Sequence, residues 1–285
     1  MMSRQEKLGI ISGGGRLPCD VARAAMADGR AVHMIGIEGE ANDSITAFPH
    51  DWVKWGEIGK LFATLSRENC SEVVIIGPVS RPDLSKVRMD LGALKLLPFI
   101  MTLKSGGDDS LLSKIVGLFE EKGHKVCSVL DVVPALAADP GDMTRFRPNK
   151  TNLQDMRKGL QLVKAMGAFD VGQAAVVVNG HVIALEGAEG TDKMLERAAG
   201  LGQWGRKGRH GVLVKVPKPQ QDRRIDLPTI GPQTIERALA ARLAGIVVAA
   251  GETVMASKEA TLAAAEKAAL FVHGVCLKEA DQRNG

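Results

Sequence analysis

Apolar and polar positions along the chain switch between two periods. Lys7–Ile11, Ala31–Ile37, Glu72–Ile76 and Lys125–Leu130 are short, nearly unbroken apolar runs, and EVVII at 72–76 reads as a strand buried on both faces. Between these runs the apolar spacing is helical. One helix starts near Pro18, which suits a first turn, and stops at Gly29; others are predicted over Glu57–Asn69, Leu91–Leu103 and Asp109–Lys122, the last stopped by Gly123. Strand and helix alternate through roughly the first 130 residues, the pattern of a parallel, doubly wound sheet.

After Asp131 the texture changes, and Pro134, Pro140, Gly141 and Pro148 punctuate a polar connection. This predicts a boundary, with one domain over 1–132 and a second over 133–285. The second opens with a helix over Asn152–Phe169. Ala174–Val178 and His181–Glu186 flank Asn179-Gly180, a hairpin signal because both central positions of a type I′ turn need positive φ. A helix from Thr191, strands Val212–Val216, Ile246–Ala249 and Phe271–Val275, and helices Gln233–Ala244 and Ser257–Ala269 complete it. Hairpin and crossover connections together predict a mixed sheet, so the fold class is α/β in both halves.

Composition narrows the function. With 285 residues, 45% hydrophobic and 25% charged, the chain can bury an ordinary core. Aromatics are only 4% and tyrosine is absent, so the stacking platforms of single-strand nucleic-acid binders are missing and no nucleic-acid partner is expected. The four cysteines, Cys19, Cys70, Cys127 and Cys276, have no CxxC spacing and read as buried thiols of a reducing compartment. The charged start MMSRQEKLGII is unlike a signal peptide, and no apolar run reaches the roughly 18 residues that span a bilayer. A cytoplasmic protein is expected, with peripheral contact with a membrane left open. The net charge of +4 is mild, but Arg206, Lys207, Arg209, Lys215, Lys218, Arg223 and Arg224 face a single acid, Asp222, between 206 and 224. Such a field attracts an anionic ligand or membrane surface, and a solvated basic face explains it equally well.

Candidate chemistry sits in loops. Gly13-Gly14-Gly15, with Gly14 at its centre, lies between a strand and a helix, where exposed backbone N–H groups can cradle a phosphate, although a tight structural turn fits as well. It is neither GxGxxG nor a P-loop. Gly77-Pro78-Val79-Ser80-Arg81-Pro82 follows a strand, placing Ser80 and Arg81 where open α/β sheets bind ligands, although by itself a proline-stiffened surface loop with a solvated arginine fits slightly better. Gly107 and Asp108 stand in GGDDS before a helix; capping explains one of the two carboxylates there, and Mg²⁺ or sugar hydroxyls suit the pair. Thr191 and Asp192 begin a helix after a strand and are either phosphate ligands or N-caps. The densest stretch is KVPKPQQDRRIDLPTIGP at 215–232, which joins Lys215, Gln221, Asp222 and Asp226 in one proline-stiffened loop. Diphosphate cleavage needs cations, a carboxylate that holds Mg²⁺ or orients water, and hydrogen bonds to the leaving group, and this loop offers all three. The histidines show no ligand spacing.

GIISGGGRLP, GPVSRPD, GDDSLL, TRFRPNK, EGAEGTD and KVPKPQQDRRIDLPTIGPQT, in this order and over nearly the whole chain, resemble the LpxI family of UDP-2,3-diacylglucosamine pyrophosphatases. The resemblance implies a Rossmann-like N-terminal domain and a C-terminal domain of less usual fold. It implies hydrolysis of UDP-2,3-diacylglucosamine to UMP and 2,3-diacylglucosamine 1-phosphate in lipid A biosynthesis, with Mg²⁺ and with Asp226 as the catalytic residue. Asp222 is the second carboxylate offered to the metal, and Gly14, Ser80, Arg81, Gly107, Asp108, Thr191, Asp192, Lys215 and Gln221 are the expected substrate contacts. For acyl chains to be sheltered, the apolar stretch Leu91–Leu103, interrupted by Pro98, is an expected wall, and burial in the first domain's core explains it nearly as well. A non-catalytic carrier or sensor of a nucleotide-sugar lipid, and a nucleotide-sugar transferase, are the competing functions. Peripheral inner-membrane contact and a homodimer are left open.

Overall fold

The computed structural model describes residues 7–80, 87, 89–95, 108–201 and 208–277. The chain divides into two compact units, Met1–Pro134 with Asp222–Asp226, and Ala135–Gln221 with Leu227–Gly285.

In the first unit, β1 (Leu8–Ser12), α1 (Leu17–Ala27), β2 (Val32–Ile37), β3 (His50–Val53), α2 (Ile58–Arg67), β4 (Glu72–Ile76), α3 (Leu91–Lys95), α4 (Asp108–Glu121), β5 (Lys125–Val126) and α5 (Val129–Val132) follow in order. The sheet runs β3-β2-β1-β4-β5 with every described pairing parallel. The winding reverses between β1 and β4, so the loops leaving these two strands flank the switch point at which such sheets bind ligands. Ile11, Ile35, Leu65, Val73, Val116 and Phe119 form part of its core, and Ile225, far along the chain, packs against them.

Several boundaries differ from expectation for local reasons. The strand expected over Lys125–Leu130 stops at Val126 because Ser128 starts a helix: its hydroxyl accepts from Leu130 N at 3.2 Å while Asp131 accepts from Ser128 N at 3.3 Å. Of the helix expected over Leu91–Leu103, the structure shows Leu91–Lys95, and residues 96–103 lie outside the described ones. That short helix and α2 share a cap. Burial alone would raise the Asp90 carboxyl, but N–H groups of Ala93, Lys60, Gly59 and Gly92 hold it below its ordinary value. The starts of the two helices meet so closely that a Cβ on Gly92 would lie 2.4 Å from Gly59 Cα.

His33, Asp51 and Glu68 cluster near the amino end of β2. His33 Nε2 faces Asp51 at 2.8 Å and Nδ1 faces Glu68 at 3.5 Å, so the ring's two nitrogens address separate carboxylates. Lys7 and Arg67 complete an ion-pair cluster. Hydrogen bonds from Lys7 and then Arg67 pull the Glu68 carboxyl from 4.5 to about 2. A depressed carboxylate stabilises the fold above its unfolded value and loses that contribution as pH falls toward the folded one. Glu68→Gln is therefore expected to lower stability near neutrality by about 1–2 kcal/mol, allowing for solvent screening. The gap from the parent should close between pH 4.5 and about 2, as read by melting temperature across that window; a gap independent of pH would assign the loss to packing.

The second unit contains β6 (Gly141–Asp142), α6 (Lys150–Gly167), β7 (Ala174–Val178), β8 (His181–Leu185), α7 (Gly190–Gly200), β9 (Val212–Lys215), β10 (Thr229–Ile230), α8 (Pro232–Ala240), β11 (Gly245–Ala249), β12 (Val254–Met255), α9 (Lys258–Lys267) and β13 (Phe271–Val275). Its six-stranded sheet is mixed, in the order β6-β13-β11-β9-β7-β8. Alternate residues of β9 serve opposite faces: Leu213 packs with Met194, Leu195 and Ile235, and Val212 and Val214 with Met156 and Val163 of α6. Gly159 lets α6 lie close, since a Cβ there would be 2.5 Å from Val214 Cγ2. The Asn179-Gly180 turn has positive φ at both residues, 50° and 80°. The wholly buried Asp155 carboxylate accepts their N–H groups at 2.9 and 2.6 Å, which ties the hairpin to α6. Strands β8, β9, β11 and β13 run in one direction, so their carboxyl ends share one edge of the sheet.

Candidate functional site

In the first unit the glycine turn packs against the loop after β4. Gly13 N–H donates to Ile76 O at 2.9 Å and Gly14 N–H to Pro78 O at 2.8 Å. A Cβ on Gly13 would stand 2.6 Å from Gly77 O, so close approach of two loops is what these glycines provide. The Gly14 N–H thus has a partner within the protein, and the turn serves at least the packing of these two loops. Ser80 is exposed, and its N–H donates to Glu40 Oε2 at 2.9 Å. Glu40 thus puts a carboxylate at this edge, which suits hydroxyl donors better than phosphate oxygens. Arg81 and Gly107 lie outside the described residues, and Asp108 opens α4.

At the carboxyl edge of the second sheet, a partly buried hydrogen-bonded chain joins residues expected to bind substrate to others that no sequence signal marks. Thr191 Oγ1 donates to Glu186 Oε1 at 3.1 Å, and Glu186 Oε2 accepts from Gln173 N–H at 3.2 Å. Gln173 Oε1 accepts from Gln221 Nε2 at 3.3 Å, and Gln221 Oε1 accepts from Lys218 N–H at 2.9 Å. The Lys218 ammonium in turn pairs with Asp170. Thr191 therefore directs its one hydroxyl proton at Glu186, so a phosphate oxygen at the start of α7 would look to backbone N–H groups rather than to this hydroxyl. Gln221 is likewise a loop holder, with both ends of its amide engaged. Asp192 reaches Arg237 Nε at 3.3 Å. Lys215 ends β9, buried, in register with Ala174 on one side and Val248 on the other.

The loop then contributes Asp222–Asp226 to the first unit. These five residues make one helical turn, closed by Asp226 N–H donating to Asp222 O at 3.0 Å. Arg224 grips both Asp222 oxygens, Nε to Oδ1 at 3.0 Å and Nη2 to Oδ2 at 2.8 Å, and its Nη1 donates to Glu120 Oε1 of α4 at 2.7 Å. That fork holds the Asp222 carboxyl below its usual range. Asp222 thus folds the loop, with both oxygens engaged, and Asp226 stands half-buried at the end of the turn that Asp222 begins. The basic field is smaller than the sequence suggests, since Lys218 and Arg224 have acidic partners; Arg206 and Lys207 lie outside the described residues.

The features together are those of a two-unit α/β protein with loop-borne polar groups at the carboxyl ends of its parallel strands. Residues 7–136 match the model of the LpxI N-terminal domain, and residues 139–273 that of the LpxI C-terminal domain. The UDP-2,3-diacylglucosamine pyrophosphatase LpxI of Caulobacter vibrioides is 42% identical over 272 residues, covering 94% of this chain and 97% of that protein. The chain belongs to the LpxI family.

Proposed function

We propose that this protein is an enzyme of lipid A biosynthesis that hydrolyses the diphosphate of UDP-2,3-diacylglucosamine, yielding UMP and 2,3-diacylglucosamine 1-phosphate. The observation that carries the proposal is identity of 42% along nearly the full length of both chains to a relative bearing that activity in its name. Among the described residues no helix is long and apolar enough to cross a membrane, in keeping with work in the cytoplasm and peripheral contact with the inner membrane.

Hydrolysis adds one water across the P–O–P bridge: the water oxygen bonds to one phosphorus while the bridging oxygen leaves on the other. Asp226 is assigned the catalytic carboxylate, on a turn whose backbone is fixed by Asp222, Arg224 and Ile225. Mg²⁺ fits this loop in a restricted way. Asp226 and Asp222 are the carboxylates that would hold the ion, Asp222 while also gripped by Arg224, since a carboxylate keeps lone pairs beyond those two hydrogen bonds. When bound, the ion offsets negative charge developing on the diphosphate oxygens. Incubation of pure protein with UDP-2,3-diacylglucosamine and Mg²⁺ should release UMP; tight binding without products would make the protein a carrier of the same lipid.

A further inference from the structure

We infer that the exposed face of α6, with Phe169 and Val171 just beyond its end, is a docking surface for an anionic phospholipid bilayer. The inference deepens the hydrolase proposal and rests on it in one respect: a diacylated substrate partitions into membrane, and none of the described helices can span one.

Charge and shape coincide on this helix. One side is the packing side, where Met156 and Val163 meet Val212 and Val214 of β9. The other carries Lys150, Arg157 and Lys164, all exposed. Each follows the last by seven residues, or two turns, so the three form one stripe about 21 Å long. Lys158, also exposed, flanks the stripe and donates to Gly180 O at 2.6 Å. The two carboxylates between Lys150 and Val171 are engaged within the protein: Asp155 is wholly buried beneath the Asn179-Gly180 turn, and Asp170 pairs with Lys218. No exposed acid therefore opposes the four cations along α6, which matches the negative potential of an anionic leaflet.

A basic face alone would be ordinary solvated surface, and what distinguishes this one is its apolar end. Phe169 is 81% exposed, the most of any large apolar side chain among the described residues, and Val171 is 42% exposed. Ala168 beside the ring and Ala165 one turn earlier are exposed too. A cationic stripe that runs into an exposed aromatic has the two parts of an interfacial anchor, cations for headgroups and a ring for the acyl boundary. A second copy of the chain is the poorer occupant, because a two-fold contact through this face would set the same cations against each other.

The test is co-sedimentation of the full chain with vesicles of phosphatidylethanolamine containing one-third phosphatidylglycerol, beside vesicles of phosphatidylcholine alone. The parent should bind the anionic vesicles and lose them as salt is raised. Lys150→Gln, Arg157→Gln and Lys164→Gln combined should weaken binding about 100-fold at low salt, and Phe169→Ser about tenfold at any salt. UMP release from substrate in anionic vesicles should fall with binding in both variants, while detergent-dispersed substrate should be cleaved at the parent's rate. Absence of vesicle binding by the parent, equal binding to phosphatidylcholine, or binding that survives both sets of substitutions would overturn the inference. So would a parent dimer that Phe169→Ser dissolves, which would make the patch a contact between copies. An equal loss on dispersed substrate would make Phe169 a substrate contact instead. Should Phe169→Ser fail to fold, the charge variant decides alone, since it leaves the apolar end intact. Vesicle binding requires no turnover: a parent that binds but releases no UMP would refute the hydrolase proposal and leave the docking surface standing.

Discussion

Asp226→Ala is expected to cut turnover by roughly three powers of ten or more, the scale of losing a central catalytic group. The turn around it should persist, because closure depends on the Asp226 N–H and on the Asp222–Arg224 fork, neither of which alanine removes. Melting temperature and affinity for the intact substrate should therefore stay near the parent's. Turnover measured beside thermal unfolding checks this directly. Near-normal turnover would remove Asp226 from the chemistry, and a large drop in melting temperature would make it a folding residue.

Activity is also expected to vanish in EDTA and to return with Mg²⁺ or Mn²⁺. Lys218 is paired with Asp170, and Arg224 with Asp222 and Glu120, so two of the loop's cations already have acidic partners. Beside the remaining loop cations, Lys215 and Arg223, a hard cation with oxygen ligands would offset the charge that develops on the diphosphate during cleavage. Steady-state rates across a chelator and metal titration decide it. Full activity in chelator would show that protein cations suffice, and the metal would be dropped from the proposal.

Legibility in the sequence followed physical range. Strands β1 and β4 are continuous apolar runs buried by neighbours on both sides, and Asn179-Gly180 announced its hairpin, because in each case the determinant lies within a few residues. The strand at His50–Val53 went unseen: it lies at the sheet edge, and its His-Asp-Trp-Val pattern is half polar. The two-residue strands β6, β10 and β12 are too short to show any period. In the site, the loop at 215–232 stood out by composition, but the roles inside it did not. Whether Asp222 faces a metal or Arg224, and whether Lys218 faces a phosphate or Asp170, depends on geometry that local composition does not encode. Asp170 and Gln173 are 48 residues from the partners they hold, so no local pattern marks them.

The inclusion of Asp222–Asp226 in the first unit bears on the order in which the protein can be made. A nascent chain that has just passed Pro134 has its five parallel strands, but it has no Ile225 to cover Phe119 and its neighbours and no Arg224 to meet Glu120. Those residues emerge only after the whole of Ala135–Gln221 has been synthesised, a delay of several seconds at about 5–20 residues per second. Until then the N-terminal unit lacks the contacts of Ile225 and Arg224, which the same five-residue turn that carries Asp226 supplies. The polypeptide is therefore not two independent modules joined end to end, and a fragment cut after Pro134 is expected to mature only when that turn is supplied to it.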